Sequence, residues 1–156
     1  MTSQAQESVA DREITLSRHF NASRELVWRA LTESEHVAHW FGPNGFSITA
    51  TEMDVREGGV WRFVMHGPDG VDYPNLITYH TVRKPELLEY THSDDGGGRS
   101  FVASMTLVAA DGGTTLTLRQ VHPSKEVRDY VVREIGAIEG GKQTLARLAE
   151  HLKSMQ

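Results

Sequence analysis

The chain has 156 residues, no cysteine and a formal net charge of −5 at pH 7. This length fits one domain that buries about 70% of the surface of the unfolded chain. The lack of cysteine excludes disulfides, thiolate metal ligands and cysteine nucleophiles, and it is typical of a cytoplasmic protein. The negative charge and the scattered Lys and Arg residues argue against nucleic acid as a partner. No apolar run approaches the roughly 18 residues of a membrane span.

The first residues are polar and have neither the basic start nor the apolar run of a signal peptide. We therefore predict a disordered N-terminal tail at residues 1–11 and a single domain at residues 12–153. This organisation again favours a cytoplasmic location.

The domain begins with a strand and two short helices. Residues 12–20 alternate between apolar and polar types, which predicts a strand. Asn21 or Ser23 can cap the helix that follows. The sequence Thr32-Glu33-Ser34-Glu35 fits a capping box and predicts a second helix that ends near Trp40. Trp40 and the adjacent phenylalanine precede a Gly-Pro turn, so we expect both rings to pack near the mouth of a pocket.

The middle of the chain has the pattern of strands joined by tight turns. Segments such as Gly67-Pro68-Asp69-Gly70 and Asp111-Gly112 have the residues that hairpin turns require. The predicted strands are 46–54, 59–66, 72–83, 86–92, 100–109 and 114–121. With the first strand they make an antiparallel sheet of about seven strands.

The segment from Ser124 to Lys153 has the apolar spacing of one long amphipathic helix. Its stripe consists of Val127, Val131, Ile135, Ile138, Leu145, Leu148 and Leu152. The adjacent Gly140 and Gly141 weaken the helix locally and predict a bend or a close approach there. A concave sheet is the natural partner for the stripe, so the pattern predicts an α+β fold with the helix held by the sheet.

The turns also predict which side chains share the inner face of the sheet. A two-residue loop at Asp111-Gly112 pairs Leu107 with Leu116, and a reversal at Lys84-Pro85 pairs Thr81 with Leu88. The same registers pair Tyr79 with Tyr90, Ile77 with His92, Ala103 with Gln120 and Phe101 with His122, and place His92 beside Phe101. The face is rich in aromatic residues and Met, which suits a pocket for an apolar ligand, although the same residues also suit a filled core.

Several motifs resemble the family named after activators of the heat-shock ATPase. They are Phe20–Thr32, His39–Pro43, Gly58–Gly70, Pro85-Glu86, Asp111–Thr114 and Gly140–Leu148. The family belongs to the START-related, polyketide-cyclase-like (SRPBCC) superfamily, and the resemblance implies a helix-grip fold, in which a curved antiparallel sheet surrounds a long C-terminal helix. Most relatives have no assigned ligand and share no catalytic motif, so the resemblance transfers no catalytic residues.

Two positions depart from the family pattern. Relatives commonly have tryptophan where this chain has Gly141, and glycine where it has Ile77. The resemblance therefore implies that side-chain volume is smaller in the helix and larger in the sheet than in relatives. The shape of a relative's cavity does not transfer to this chain.

We predict a small apolar or aromatic ligand, bound between the sheet and the C-terminal helix. The candidate lining residues are Trp61, Phe63, Met65, Ile77, Tyr79, Tyr90, His92, Phe101, Met105, Gln120, His122 and Ile138. An enzyme of cyclase, aromatase or hydrolase type that uses the same cavity is a second hypothesis, with the inner-face histidines and tyrosines as its acid-base groups. A module that stimulates a chaperone ATPase is a third. The protein is expected to be a monomer or a weak homodimer.

The histidine pattern does not predict a metal site. His92 and His122 flank Phe101 without a third ligand at a recognisable spacing, and we expect a partly buried histidine with a hydrogen-bonded partner. His36 and His39 lack the glutamate and the i, i+4 spacing of a zinc protease motif and are interpreted as surface residues. The sequence predicts neither a metal nor a cofactor.

Overall fold

Seven antiparallel strands form one curved sheet whose inner face is covered by helices. The structure, a computed structural model, describes residues 8–95 and 99–156. The strands are β1 (Glu13–Phe20), β2 (Ser47–Met53), β3 (Val60–His66), β4 (Asp72–Arg83), β5 (Leu87–Asp94), β6 (Ser100–Ala110) and β7 (Gly113–Val121). The helices are α1 (Arg24–Thr32), α2 (Ser34–Val37), α3 (Lys125–Tyr130) and α4 (Ala137–Ser154). The predicted α+β helix-grip fold is confirmed.

The strand order is β1-β7-β6-β5-β4-β3-β2, so β1 and β2 are the two edges of the sheet. The α1–α2 segment connects these edges, and α4 packs against β1 and α1. Of the segment predicted as an N-terminal tail, residues 1–7 lie outside the described residues, and Ala10–Arg12 form a 3-10 turn before β1. The glycine turn predicted at 96–98 also lies outside them. Within the described residues, no helix is long and apolar enough to cross a membrane.

The predicted registers hold over most of the sheet. Leu107 pairs with Leu116, and His92 lies between Ile77 of β4 and Phe101 of β6. The predicted pairing of Thr81 with Leu88 is wrong, because a bulge at His80 shifts the register. Tyr79 still pairs with Tyr90, but Thr81 faces Glu89. A bulge places one extra residue in a single strand, and alternation alone does not reveal it.

The caps of the short helices differ partly from the prediction. Ser23 caps α1, because its hydroxyl accepts a hydrogen bond from the amide of Leu26 at 3.2 Å. The capping box predicted at Thr32 is absent from this described segment. Thr32 is still helical in α1, and its hydroxyl donates to the carbonyl of Trp28 at 2.7 Å. Helix α2 is a single turn, Ser34–Val37, and ends before the predicted end near Trp40.

The segment from Ser124 to Lys153, predicted as one continuous helix, is divided into two α-helices. After α3, Val131–Ile135 form a π-helical turn, and Gly136 adopts a left-handed conformation with φ of 74° before α4 begins. Only glycine adopts this conformation without strain, so the helical segment is interrupted at Gly136. Gly140 and Gly141 lie within α4 and do not interrupt it. The break leaves Ile135 exposed, although the apolar stripe predicts it to be buried.

The core lies between the inner face of the sheet and the helices. The inner-face residues Trp61, Phe63, Ile77, Tyr79, Leu88, Tyr90, Ala103, Met105, Leu107, Leu116 and Leu118 are all buried. Leu16 of β1 lies directly against Gly141, where a Cβ would collide with Leu16 Cδ1. A strand residue therefore fills the space beside the helix at Gly141.

Candidate functional site

The predicted lining residues lie on or beside the inner face, but they form more than one group. Trp61, Phe63, Ile77, Tyr79, Tyr90, Met105 and His122 are buried, whereas Met65, His92, Phe101, Gln120 and Ile138 are partly exposed. Four of them, Trp61, Tyr79, Tyr90 and Met105, line one internal cavity. The other eight do not line it.

The cavity has a volume of about 20 Å³, and its lining also includes residues outside the predicted set. The residues added by the structure are Leu31, Val37, Trp40, Phe41 and Leu88. A volume of this size holds roughly one water molecule, whereas sites for drug-sized ligands span roughly 300–1,000 Å³. Its lining, as described, comes from the sheet and the α1–α2 segment and includes no residue of α4. The sequence placed Trp40 and Phe41 near a pocket mouth and Leu88 on the inner face, without naming them as lining residues. It missed Leu31 and Val37, because their position depends on how the α1–α2 segment folds back over the sheet.

Two features of the cavity lining are polar. The indole N–H of Trp61 is fully buried and has no hydrogen-bond partner among the described residues. Tyr79 and Tyr90 meet edge to face with ring centroids 6.3 Å apart. Burial raises the pKa of both hydroxyls, so these phenols remain neutral donors at physiological pH.

Phe41 closes the aromatic part of the inner face. Its ring centroid lies 5.1 Å from that of Trp61 and 5.7 Å from that of Phe63, in edge-to-face contacts. Trp61 and Phe63 themselves stack at 3.9 Å. Phe41 is only partly buried, whereas the adjacent Trp40 is fully buried and donates its indole N–H to the carbonyl of Ala30 at 2.9 Å. The predicted packing of Trp40 and Phe41 is confirmed, with Phe41 as the outer ring.

Helix α4 holds the loop that carries Phe41. The guanidinium of Arg147 donates to the carbonyls of Gly42 at 2.8 Å and Pro43 at 2.9 Å. It also donates to the carbonyl of His39 at 3.3 Å. Burial lowers the pKa of Arg147, but an arginine remains charged at physiological pH. Phe41 is therefore fixed from outside the sheet by one side chain.

His92 is a neutral imidazole with a defined orientation. Its Nε2 lies 2.8 Å from Oδ1 of Asn75, and Nδ2 of Asn75 donates to the carbonyl of Tyr73 at 2.7 Å. Because Asn75 uses its amide N–H on Tyr73, its oxygen accepts from His92, and the proton of His92 is on Nε2. Burial lowers the pKa of His92 to about 4, against a small opposing effect of Asp94. The expected hydrogen-bonded partner of a partly buried histidine is confirmed.

Phe101 separates His92 from the second inner-face histidine, as the register predicts. Its ring centroid lies 5.1 Å from that of His92 and 4.9 Å from that of His122. The Nδ1 atom of His122 is buried without a partner among the described residues. Burial lowers the pKa of His122, and the positive charges of Arg128 and Arg99 add to this effect. The two imidazoles are thus kept apart by a phenyl ring and are not arranged to share one ion.

Comparison with known proteins identifies one family. Residues 21–153 match the family model described as "Activator of Hsp90 ATPase homolog 1-like protein". A search of curated proteins finds no match for the chain.

Solved structures of similar architecture come from several bacteria. A protein from Nitrosomonas europaea is 30% identical, with 94% of this chain and 97% of that chain covered and a TM-score of 0.85. A protein from Mycobacterium smegmatis is 22% identical, with 99% of both chains covered and a TM-score of 0.85. A protein from Chromobacterium violaceum is 24% identical, with 90% and 96% covered and a TM-score of 0.78. The last two matches show a shared fold.

Proposed function

Since the chain belongs to the Activator of Hsp90 ATPase homolog 1-like family of the SRPBCC superfamily, we propose that it binds a small, largely apolar molecule on the inner face of its sheet. The observation that carries this proposal is the buried indole N–H of Trp61, which has no partner among the described residues and belongs to a residue that lines the small cavity. Buried polar groups are almost always paired, so a donor left unpaired beside a cavity fits a ligand acceptor or a water molecule.

The proposed binding region is larger than the present cavity. Phe41 lines the cavity and its ring also contacts those of Phe63 and His92, and it belongs to a loop that is held by Arg147. Outward movement of Phe41 would join the cavity to the Phe63 and His92 surface. In this proposal, the ring of Phe41 occupies part of the position that an aromatic ligand takes.

The chemistry of the surface defines the ligand class. Its body is made of Trp61, Phe63 and Met105, and its donors are neutral phenols and an indole N–H. The neutral imidazole of His92 uses its N–H on Asn75 and offers an acceptor nitrogen. Neutral donors in a dry site favour a ligand with one or two uncharged acceptor oxygens, such as a ketone or a phenol, over an ion.

An enzymatic role for the same surface has less support. Asn75 orients His92, as a catalytic base requires, but a pKa of about 4 makes its imidazole a weak base at neutral pH. The family is named after activators of a chaperone ATPase, so stimulation of ATP hydrolysis is the alternative from another class. A shift in melting temperature on ligand addition, product formation and stimulated ATP hydrolysis distinguish the three functions.

The test begins with native mass spectrometry of the purified protein and a thermal-shift screen of aromatic ketones, phenols and lipids. A ligand that binds the folded state raises the melting temperature. For a hit, Trp61→Phe removes the N–H and keeps an aromatic ring, and we expect a roughly tenfold loss of affinity. Trp28→Phe is the matched control, because Trp28 is buried in α1 outside the cavity lining.

A second variant tests whether Phe41 occupies the site. Phe41→Ala should tighten binding of the same ligand, because the protein no longer has to move a ring out of the aromatic cluster. If neither the wild type nor Phe41→Ala responds to any member of the screen, the inner face is an ordinary core and the proposal is wrong.

A further inference from the structure

Three histidines from distant parts of the sequence meet where α2 packs near the end of α4. His36 Nδ1 lies 3.0 Å from His151 Nε2. The ring of His39 stacks on that of His151, with centroids 5.1 Å apart and planes 13° from parallel. We call His36, His39 and His151 the histidine junction, and we propose that it binds a first-row transition-metal dication, with Zn²⁺ as the expected ion.

The distance between His36 and His151 suits a shared ion. Zinc binds imidazole nitrogen at roughly 2.0–2.1 Å, so two nitrogens of a tetrahedral site lie roughly 3.4 Å apart. The two nitrogens therefore need to separate by only a few tenths of an ångström, and both rings need to tilt so that their lone pairs converge on the ion. Imidazole nitrogen is a ligand that Zn²⁺, Cu²⁺ and Ni²⁺ share and that Mg²⁺ and Ca²⁺ do not favour.

Glu33 orients the first ligand from its other edge. Its Oε1 lies 3.6 Å from His36 Nε2, and its Oε2 accepts from Arg29 at 3.2 Å. A carboxylate close to the opposite nitrogen favours the tautomer with the proton on Nε2, once the two atoms approach to hydrogen-bonding distance, and this tautomer leaves the Nδ1 lone pair for the ion. His151 then has to move its own proton from Nε2 to Nδ1, which requires no net proton release.

The third ligand comes from the residue one turn after His36. His39 is exposed, so its imidazole is able to turn from its stacked position towards the ion. The guanidinium of Arg147 fixes the backbone carbonyl of His39 at the same time. Water completes the tetrahedron in this proposal.

The charge state of the junction is compatible with a cation. The carboxylates of Glu33 and Glu35 add negative charge, and with His36 they offer ligand atoms that lie within 4.8 Å of one another.

The test uses the full chain after treatment with a chelator. Titration calorimetry with ZnCl₂ should show one site, and Zn²⁺ should raise the melting temperature. Co²⁺ in the same site should give the intense visible absorption of a tetrahedral complex, unlike the weak absorption of the hexaaqua ion. MgCl₂ should bind at least roughly a hundredfold more weakly than ZnCl₂.

The variants identify the ligands. His36→Ala and His151→Ala should each lower Zn²⁺ affinity by roughly a hundredfold or more, and His39→Ala and Glu33→Gln by roughly tenfold. His80→Ala is the control, since His80 is exposed on β4 far along the chain from the junction. Circular dichroism verifies that each variant is folded, and the exposed His39 provides a test that does not disturb the core.

Three results would overturn the proposal. The first is an octahedral Co²⁺ spectrum, and the second is unchanged Zn²⁺ affinity in His151→Ala. The third is a loss of Zn²⁺ binding in Glu35→Gln while His151→Ala still binds Zn²⁺. That result would place the ion between His36 and the carboxylates, without His151 as a ligand.

Discussion

The inner face and the histidine junction, two regions that contain histidine, differ in how their side chains come together. On the inner face, Phe101 lies between His92 and His122. His92 and Phe101 come from the neighbouring strands β5 and β6, and His122 directly follows β7. At the histidine junction, His36 and His151 are 115 residues apart in sequence and meet through the packing of helices. The first arrangement follows from local turns and the second from the whole fold. The inner-face residues accordingly contribute to the core, whereas the junction is open to solvent on one side.

The largest expected effect comes from removing a ring from the inner face. Phe63→Ala should lower the free energy of unfolding by about 4 kcal/mol, because Phe63 is fully buried and stacks on Trp61 at 3.9 Å. Urea denaturation measures the change. His39→Ala at the junction, where the side chain is exposed, should change it by less than about 0.5 kcal/mol. Equal losses of unfolding free energy in the two variants would contradict the difference in burial between the inner face and the junction.

The pH dependence of stability should depend on His92. The folded-state pKa is about 4 and the unfolded value is 6.5, so between these values the unfolded chain binds more protons. Stability is therefore fully present above pH 6.5 and falls as the pH drops from 6.5 towards 4. The loss attributable to His92 should be about 3 kcal/mol.

His92→Gln keeps a donor for Asn75 and removes the titration, so its stability should fall less over this window. Denaturation curves at pH 7 and pH 5 measure the difference. His80→Gln, an exposed histidine on the same sheet, should retain the wild-type slope. If His92→Gln and the wild type lose stability in parallel, another group is responsible.

Arg147 links the two regions, because it binds the carbonyl of His39 at the junction and those of Gly42 and Pro43 beside Phe41. Arg147→Met should lower the free energy of unfolding by about 2 kcal/mol, because three carbonyls lose a charged donor. Hydrogen exchange should also become faster at residues 39–46, and Arg147→Lys should restore only part of the loss because it lacks the planar fork. Lys142→Met, an exposed substitution on α4, serves as the control. Unchanged exchange in the loop would show that Arg147 does not hold it.

The smallest effect concerns the two adjacent glycines of α4. Gly140→Ala should stabilise the protein by up to about 1 kcal/mol, because alanine favours the helix and its Cβ would contact only Pro43 at 3.8 Å. Gly141→Ala should stabilise it less or destabilise it, because Leu16 has to move aside. Thermal unfolding of the two variants compares them directly, and a greater gain for Gly141→Ala would contradict the observed packing.

The strand pattern and the turn residues determined most of the sheet. Alternation placed the strands, and the two-residue turn at Asp111-Gly112 placed Leu107 opposite Leu116, because a hairpin register depends on a few neighbouring residues. The pairing of His92 with Ile77 and Phe101 followed in the same way. The resemblance of the motifs to the family then identified the fold as a helix grip.

Only the tertiary structure decided where the helices break and what they cover. The left-handed Gly136 ends the π-helical turn, although Gly140-Gly141 offers the stronger breaking signal, because the packing of α4 against Leu16 accommodates the two glycines within the helix. The position of Phe41 beside the cavity depends on contacts between a loop and the sheet. The meeting of His36 with His151 depends on a contact between residues 115 positions apart in the sequence. Such contacts leave no periodic signal in the sequence, since periodicity reports which face of an element is apolar and not which element covers it.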